Sequence, residues 1–128
     1  MPTNPIVCIV DDDESVRESV SGLLRSFGIE SQAYASAEAF LAGYDTTRPL
    51  CVLLDITMPG LSGPELQEQL LAEGRNVPIV FITARMEGGL RARLLARGAT
   101  ACLVKPFQGE ELLRAVRTAL GQDREEPA

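Results

Sequence analysis

Short runs of consecutive apolar residues alternate along this chain with segments whose apolar residues recur at helical spacing, from one end to the other. That alternation predicts an α/β fold with a parallel sheet, and unbroken apolar runs are what strands covered by helices on both faces require. The predicted strands are Ile6–Val10, about Ile29–Tyr34, Leu50–Asp55, Val77–Ile82 and Thr100–Val104. The second alternates imperfectly, and Pro78 is tolerable only because it falls at the start of the fourth. A first helix carries Val16, Val20, Leu23, Leu24 and Phe27 on one stripe, with Gly28 placed to end it. Ser36 caps a short second helix that carries Phe40 and Leu41. Ser62 and Glu65 have capping-box spacing ahead of a third helix, with Pro64 in its first turn and Leu66 and Leu70 inward. A fourth helix carries Leu90, Leu94 and Leu95 and is weakened at its start by Gly88-Gly89. A fifth runs from about Gly109 to Leu120 with Leu112, Leu113, Val116 and Leu120 inward.

Five such units occupy residues 1–121 as a single domain and leave 122–128 as a disordered acidic tail. The expected architecture is a flavodoxin-like (βα)5 doubly wound parallel sheet with strand order 2-1-3-4-5. In open sheets of this kind ligands bind beyond the carboxyl ends of the strands, where the strand order reverses, which is here between strands 1 and 3.

Those strand ends hold polar residues of different chemical kinds. Strand 1 ends in Asp11-Asp12, strand 3 in Asp55, strand 4 runs into Thr83 and strand 5 into Lys105. Three carboxylates can hold a hard divalent cation, Mg2+ or Mn2+, and one of them can accept a phosphoryl group. A hydroxyl and an ammonium can then neutralise phosphoryl oxygens. Asp13 and Glu14 need no such role, since carboxylates at a helix N-cap and first turn suit the helix dipole. Taken singly, Thr83 is a strand-end β-former and Lys105 a loop cation; it is their placement at successive strand ends that points to a site.

Composition narrows the function classes. A net charge of -6, with 18 acidic against 12 basic residues, argues against direct nucleic-acid binding and suits a protein that binds a cation or a basic partner. Cys8, Cys51 and Cys102 lie inside apolar runs without metal-site spacing, so they read as packed thiols of a cytoplasmic protein. There is no His to serve as general base or ligand. No secretory signal is visible at the start, and no apolar stretch approaches membrane-spanning length. Arg85, Arg91, Arg93 and Arg97 concentrate positive charge around helix 4, either as a solvated face or as a partner surface.

Four segments together, Ile9-Val10-Asp11-Asp12-Asp13, Leu54-Asp55 through Gly63, Ile82-Thr83-Ala84 and Val104-Lys105-Pro106-Phe107, resemble the receiver domain of two-component response regulators. Ser36 to Phe40 adds a likeness to the FixJ-like branch. The resemblance implies phosphorylation of Asp55 by a sensor histidine kinase, followed by slow hydrolysis, in a switch that is not an enzyme in its own right. It further implies direct Mg2+ coordination by Asp12 and Asp55, a water-mediated role for Asp11, and a ligand carbonyl from Thr57. Thr83 would move to the phosphoryl group, Lys105 would pair with it, and the bond before Pro106 would be cis. A phosphorylation-dependent homodimer through helix 4 and strand 5 is the expected partner surface.

The resemblance has one departure. Receivers usually place Tyr or Phe three residues before the Lys, and here the position is Cys102, too small to report by swinging a ring. Plain strand packing is the favoured reading of that thiol, with Thr83 and helix 4 carrying the signal instead. Two alternatives remain: a degenerate receiver that is only an interaction module, and an Asp-nucleophile phosphatase. The second wants an acid two residues after the nucleophile, where Thr57 stands. FixJ-like regulators usually continue into a DNA-binding domain that this sequence does not include, and a stand-alone receiver is the expectation.

Overall fold

The computed structural model describes residues 4–85 and 87–121 of the 128-residue chain. The expected acidic tail, 122–128, lies outside the described residues. The elements follow in strict alternation: β1 (Ile6–Val10), α1 (Glu14–Ser26), β2 (Ser31–Tyr34), α2 (Ala37–Gly43), β3 (Leu50–Asp55), α3 (Gly63–Ala72), β4 (Ile79–Thr83), α4 (Leu90–Ala96), β5 (Ala101–Val104) and α5 (Gly109–Ala119). All strand pairs are parallel, in the order β2-β1-β3-β4-β5, so the doubly wound sheet is as expected. Among the described residues no helix is long and apolar enough to cross a membrane.

Strand pleating sorts the core into two layers. Cys8, Val10, Val52, Leu54 and Phe81 face a cluster with Phe40 of α2, Leu66 and Leu70 of α3, and Leu94 of α4. Val7, Ile9, Cys51, Leu53 and Val80 face the other way, onto Val20 and Leu24 of α1 and Leu112 and Val116 of α5. The central strands are therefore buried on both faces, which is why β1, β3 and β4 read as unbroken apolar runs. Phe40 lies wholly buried, stacked on Tyr44 at 4.3 Å between ring centroids and edge-on to Tyr34 at 5.5 Å. The three cysteines are buried and free, as expected.

The local signals for helix starts are realised in the structure. Asp13 caps α1 by accepting the Ser15 N–H at 2.9 Å, and Ser36 caps α2 by accepting that of Ala39 at 3.0 Å. Ser62 and Glu65 exchange both bonds of a capping box. Five expectations need correction. The second strand begins at Ser31 rather than Ile29, because the Ile29 N–H is drawn into the end of α1 by the Leu24 carbonyl. The fourth and fifth strands begin at Ile79 and Ala101, two residues and one residue later than expected; Pro78 contributes only its carbonyl, to Val52 N–H. Phe27 is exposed, because α1 ends at Ser26 and Phe27 is the cap residue that leaves the apolar stripe. Leu95 is exposed as well, since of the two adjacent leucines on the seven-residue α4 it is Leu94 that faces the sheet.

Candidate functional site

The register assembles the site. Val10 pairs with Leu54, so the next residues, Asp11 and Asp55, emerge side by side at the carboxyl edge. Asp55 pairs with Ile82 and Thr83 with Val104, which delivers Thr83 and Lys105 to the same edge one step further on. The Lys105 N–H donates to the Thr83 carbonyl at 2.7 Å, fixing the exit of β5 against β4. The Lys105–Pro106 peptide is cis, as expected.

Asp11, Asp12 and Asp55 each bring a carboxylate oxygen within 4.8 Å of the other two. Asp11 is completely buried, Asp55 nearly so, and Asp12 exposed. Lys105 Nζ makes an ion pair with Asp11 Oδ2 at 3.1 Å, while the other Asp11 oxygen accepts the Asp13 N–H at 2.9 Å. One ammonium thus faces three carboxylates. Burial first, and then the Asp11 carboxylate, push the Asp55 carboxyl up to about 6. Lys105 and the Thr57 N–H pull the other way, and Asp12 adds a smaller push upward. The opposite environment holds Asp13, whose carboxyl is lowered by the Ser15 hydroxyl and backbone bonds, in keeping with a purely capping role.

Beside the acids lies a cavity of about 520 Å3 lined by Asp55, Ile56, Thr57, Thr83, Arg85 and Lys105 among others. Thr83 does not reach into it as a free donor. Its hydroxyl donates to the Arg85 carbonyl at 2.9 Å and accepts the Arg85 N–H at 3.2 Å, binding it to the loop that leads to α4. Thr57 turns its backbone N–H to Asp55 Oδ1 at 3.4 Å. The structure therefore brings together Asp11, Asp12, Asp55, Thr57, Thr83 and Lys105, with Lys105 paired to Asp11.

Cys102 stands apart from this group. It is a buried residue of β5 in the same apolar cluster as Phe81 and Leu94, and burial pushes its thiol upward. Its carbonyl accepts a bond from Arg91 Nη2 of α4 at 3.0 Å. Arg85, Arg93 and Arg97 are exposed like Arg91.

Sequence reasoning passed over one residue that shapes the site. Gly63, the first residue of α3, donates its N–H to the Ile56 carbonyl at 3.1 Å, and a Cβ there would collide with the Asp55 carbonyl oxygen. Glycine disfavours helix, so its presence directly after a capping Ser was a legible sign of close backbone approach.

With this geometry in view, the chain can be set beside known proteins. A family model described as the response regulator receiver domain matches residues 7–117. Response regulator protein TodT of Pseudomonas putida is 37% identical over 115 residues, which are 90% of this chain and 51% of that protein. The solved structure of response regulator StyR superposes with a TM-score of 0.87 at 44% identity, covering 93% of this chain and 60% of that one. The crystal structure of FixJ-N superposes with a TM-score of 0.85 at 31% identity, covering 97% and 99%. The chain spans about half the length of the curated response regulators it matches.

Proposed function

Because this chain belongs to the response regulator receiver domain family, we propose that Asp55 is its phosphoacceptor and that a sensor histidine kinase is the donor. The observation that carries the reading is the carboxylate trio at the reversal point of the sheet, with Asp55 beside a cavity also lined by Thr83 and Lys105. Receivers bind Mg2+ as a family, and the donor set fits it: hard oxygens of three acids, two of them buried, with Lys105 as the adjoining cation. Asp12 and Asp55 would hold the ion directly, Asp11 through water, and Thr57 through its carbonyl. When bound, the cation neutralises carboxylate and phosphoryl charge.

Transfer breaks the nitrogen–phosphorus bond of the kinase phosphohistidine, whose imidazole keeps the electron pair, and forms an oxygen–phosphorus bond on Asp55. The Asp55 carboxylate attacks without needing a base, in accord with the lack of His in the chain. The remaining requirements are position and charge. Lys105 turns from Asp11 toward the new phosphoryl oxygens. The Thr83 hydroxyl leaves Arg85 for the same group, which releases the loop before α4. Cys102 is too small to couple that motion outward as a ring would, so the signal passes through Thr83 and α4 to an α4–β5–α5 surface. That face serves a partner, an output domain or a second copy. Residues 1–121 form the receiver unit.

Incubation with a small phosphodonor and Mg2+, followed by intact mass, tests the assignment. The wild type gains one phosphoryl group, stable in acid and labile in base, and Asp55→Asn gains none. Equal labelling of the two proteins would overturn it.

A further inference from the structure

The loop from Ile56 to Ser62 leaves the phosphoacceptor strand and carries Thr57, and its inner side is tied to the sheet. Ile56 N–H donates to the Ile82 carbonyl at 3.0 Å, Met58 is buried in the core, and Gly63 N–H returns to Ile56. Its outer side is met by a residue of a different element. Glu38, in the first turn of α2, accepts the Leu61 N–H on Oε2 at 3.0 Å. The loop is shaped for that approach at Gly60. Its φ of +75° lies in the left-handed region, and a Cβ there would stand 2.8 Å from the same Glu38 oxygen. A residue with a side chain at position 60 would therefore be strained and would also push the carboxylate away.

We infer that Glu38 is a positioning residue for the metal-binding loop: its carboxylate, by clasping Leu61 N–H over Gly60, holds the Thr57 backbone where a divalent cation can use it. The inference rests on the receiver reading of the site. Glu38 is not among the residues that line the cavity, its bond goes to Leu61, and it takes no part in the transfer. Its effect is on how tightly the loop is preorganised, and so on cation affinity rather than on the rate once the cation is bound. A simpler role is available to any acid in a helix first turn, favourable interaction with the helix dipole. The two roles differ in what they need: the clasp needs length and an acceptor oxygen, whereas the dipole needs only negative charge.

Three variants separate them: Glu38→Ala, Glu38→Gln, which keeps length and an acceptor without charge, and Glu38→Asp, which keeps charge and loses reach. Two readouts are taken on the whole chain. One is hydrogen exchange at the Leu61 amide; the other is the Mg2+ concentration giving half of the full thermal shift, with initial phosphorylation rate from a small phosphodonor at saturating Mg2+ as the comparison. Glu38→Ala is expected to speed Leu61 exchange on the order of tenfold. It is also expected to raise the half-saturating Mg2+ concentration about tenfold, while the saturated rate stays near the wild-type value. Glu38→Gln should lie close to wild type and Glu38→Asp close to Ala. A wild-type Mg2+ midpoint in Glu38→Ala would overturn the inference, as would Asp behaving as wild type while Gln behaves as Ala. A wild type with no Mg2+ response at all would overturn the receiver reading together with this inference, and the two failures are told apart by that control.

Discussion

Replacing Asp55 by Asn in the metal-free protein is expected to stabilise it. The perturbation removes one negative charge from a group of three carboxylates, two of them buried, and keeps the shape, including an oxygen for the Thr57 N–H. The charged carboxyl is unfavourable here because burial and Asp11 push it from 3.8 up to about 6. At 1.36 kcal/mol per unit that displacement corresponds to ~3 kcal/mol. The cavity beside it opens to solvent, whose screening leaves roughly half or less, ~1–1.5 kcal/mol. For a domain of this size the gain corresponds to about 4 °C in melting temperature. The direction with pH follows from a folded value above the unfolded one: the wild type has this stability in full below 3.8 and loses it as the pH rises through about 6. Thermal and urea unfolding of both proteins in EDTA should therefore show Asp55→Asn ahead at pH 8, with the gap closing toward pH 4.5. Saturating Mg2+ should invert the order, since a hundredfold excess over the dissociation constant stabilises the wild type by about 2.7 kcal/mol and the variant, short of one ligand, by less. An Asp55→Asn protein that melts at or below wild type in EDTA at pH 8 would refute the reasoning.

Lys105→Ala strands the fully buried Asp11 without its ion pair, and a loss of about 2 kcal/mol is expected in EDTA; urea midpoints should show the loss shrinking when Mg2+ is added. Gly63→Ala drives a methyl into the Asp55 carbonyl and is expected to destabilise by about 2 kcal/mol, with slowed labelling of Asp55 by mass as the functional counterpart. Phe40→Ala empties the space between Tyr34 and Tyr44 and should lower stability by about 3–4 kcal/mol in chemical denaturation, without altering the Mg2+ requirement per folded molecule. On phosphorylation the Arg85 amide and those of α4 should shift in an amide correlation spectrum; an unchanged Arg85 resonance would exclude release by Thr83.

The strand ends were legible because a parallel sheet converts chain position into spatial position. Once Ile6–Val10 and Leu50–Asp55 are strands, their register places Asp11 by Asp55 with no further information. Helix starts were legible for a local reason, since Asp13, Ser36 and Ser62 each cap within three residues. What escaped depended on where elements stop or on which distant backbone comes near. Phe27 and Leu95 fit a helical stripe in sequence, yet one falls past the last turn of α1 and the other on a helix too short to bury two adjacent leucines. Nothing in the spacing of Glu38 and Leu61, 23 residues apart, announces their bond, and the Arg91 bond to the Cys102 carbonyl uses a backbone atom that no side-chain pattern encodes.

The Thr83 hydroxyl already donates its one hydrogen to the Arg85 carbonyl and accepts the Arg85 N–H. A hydroxyl that can serve either that loop or a phosphoryl oxygen makes the two arrangements competitors, and competition of this kind is reciprocal. A partner that grips the loop in its released form would raise the equilibrium constant for phosphorylation by the same factor by which phosphorylation raises that partner's affinity. Anything that tightens the Arg85 turn would have the opposite effect. The proposed output face would then also be an input, through which whatever listens to the domain would set how readily it holds its phosphate.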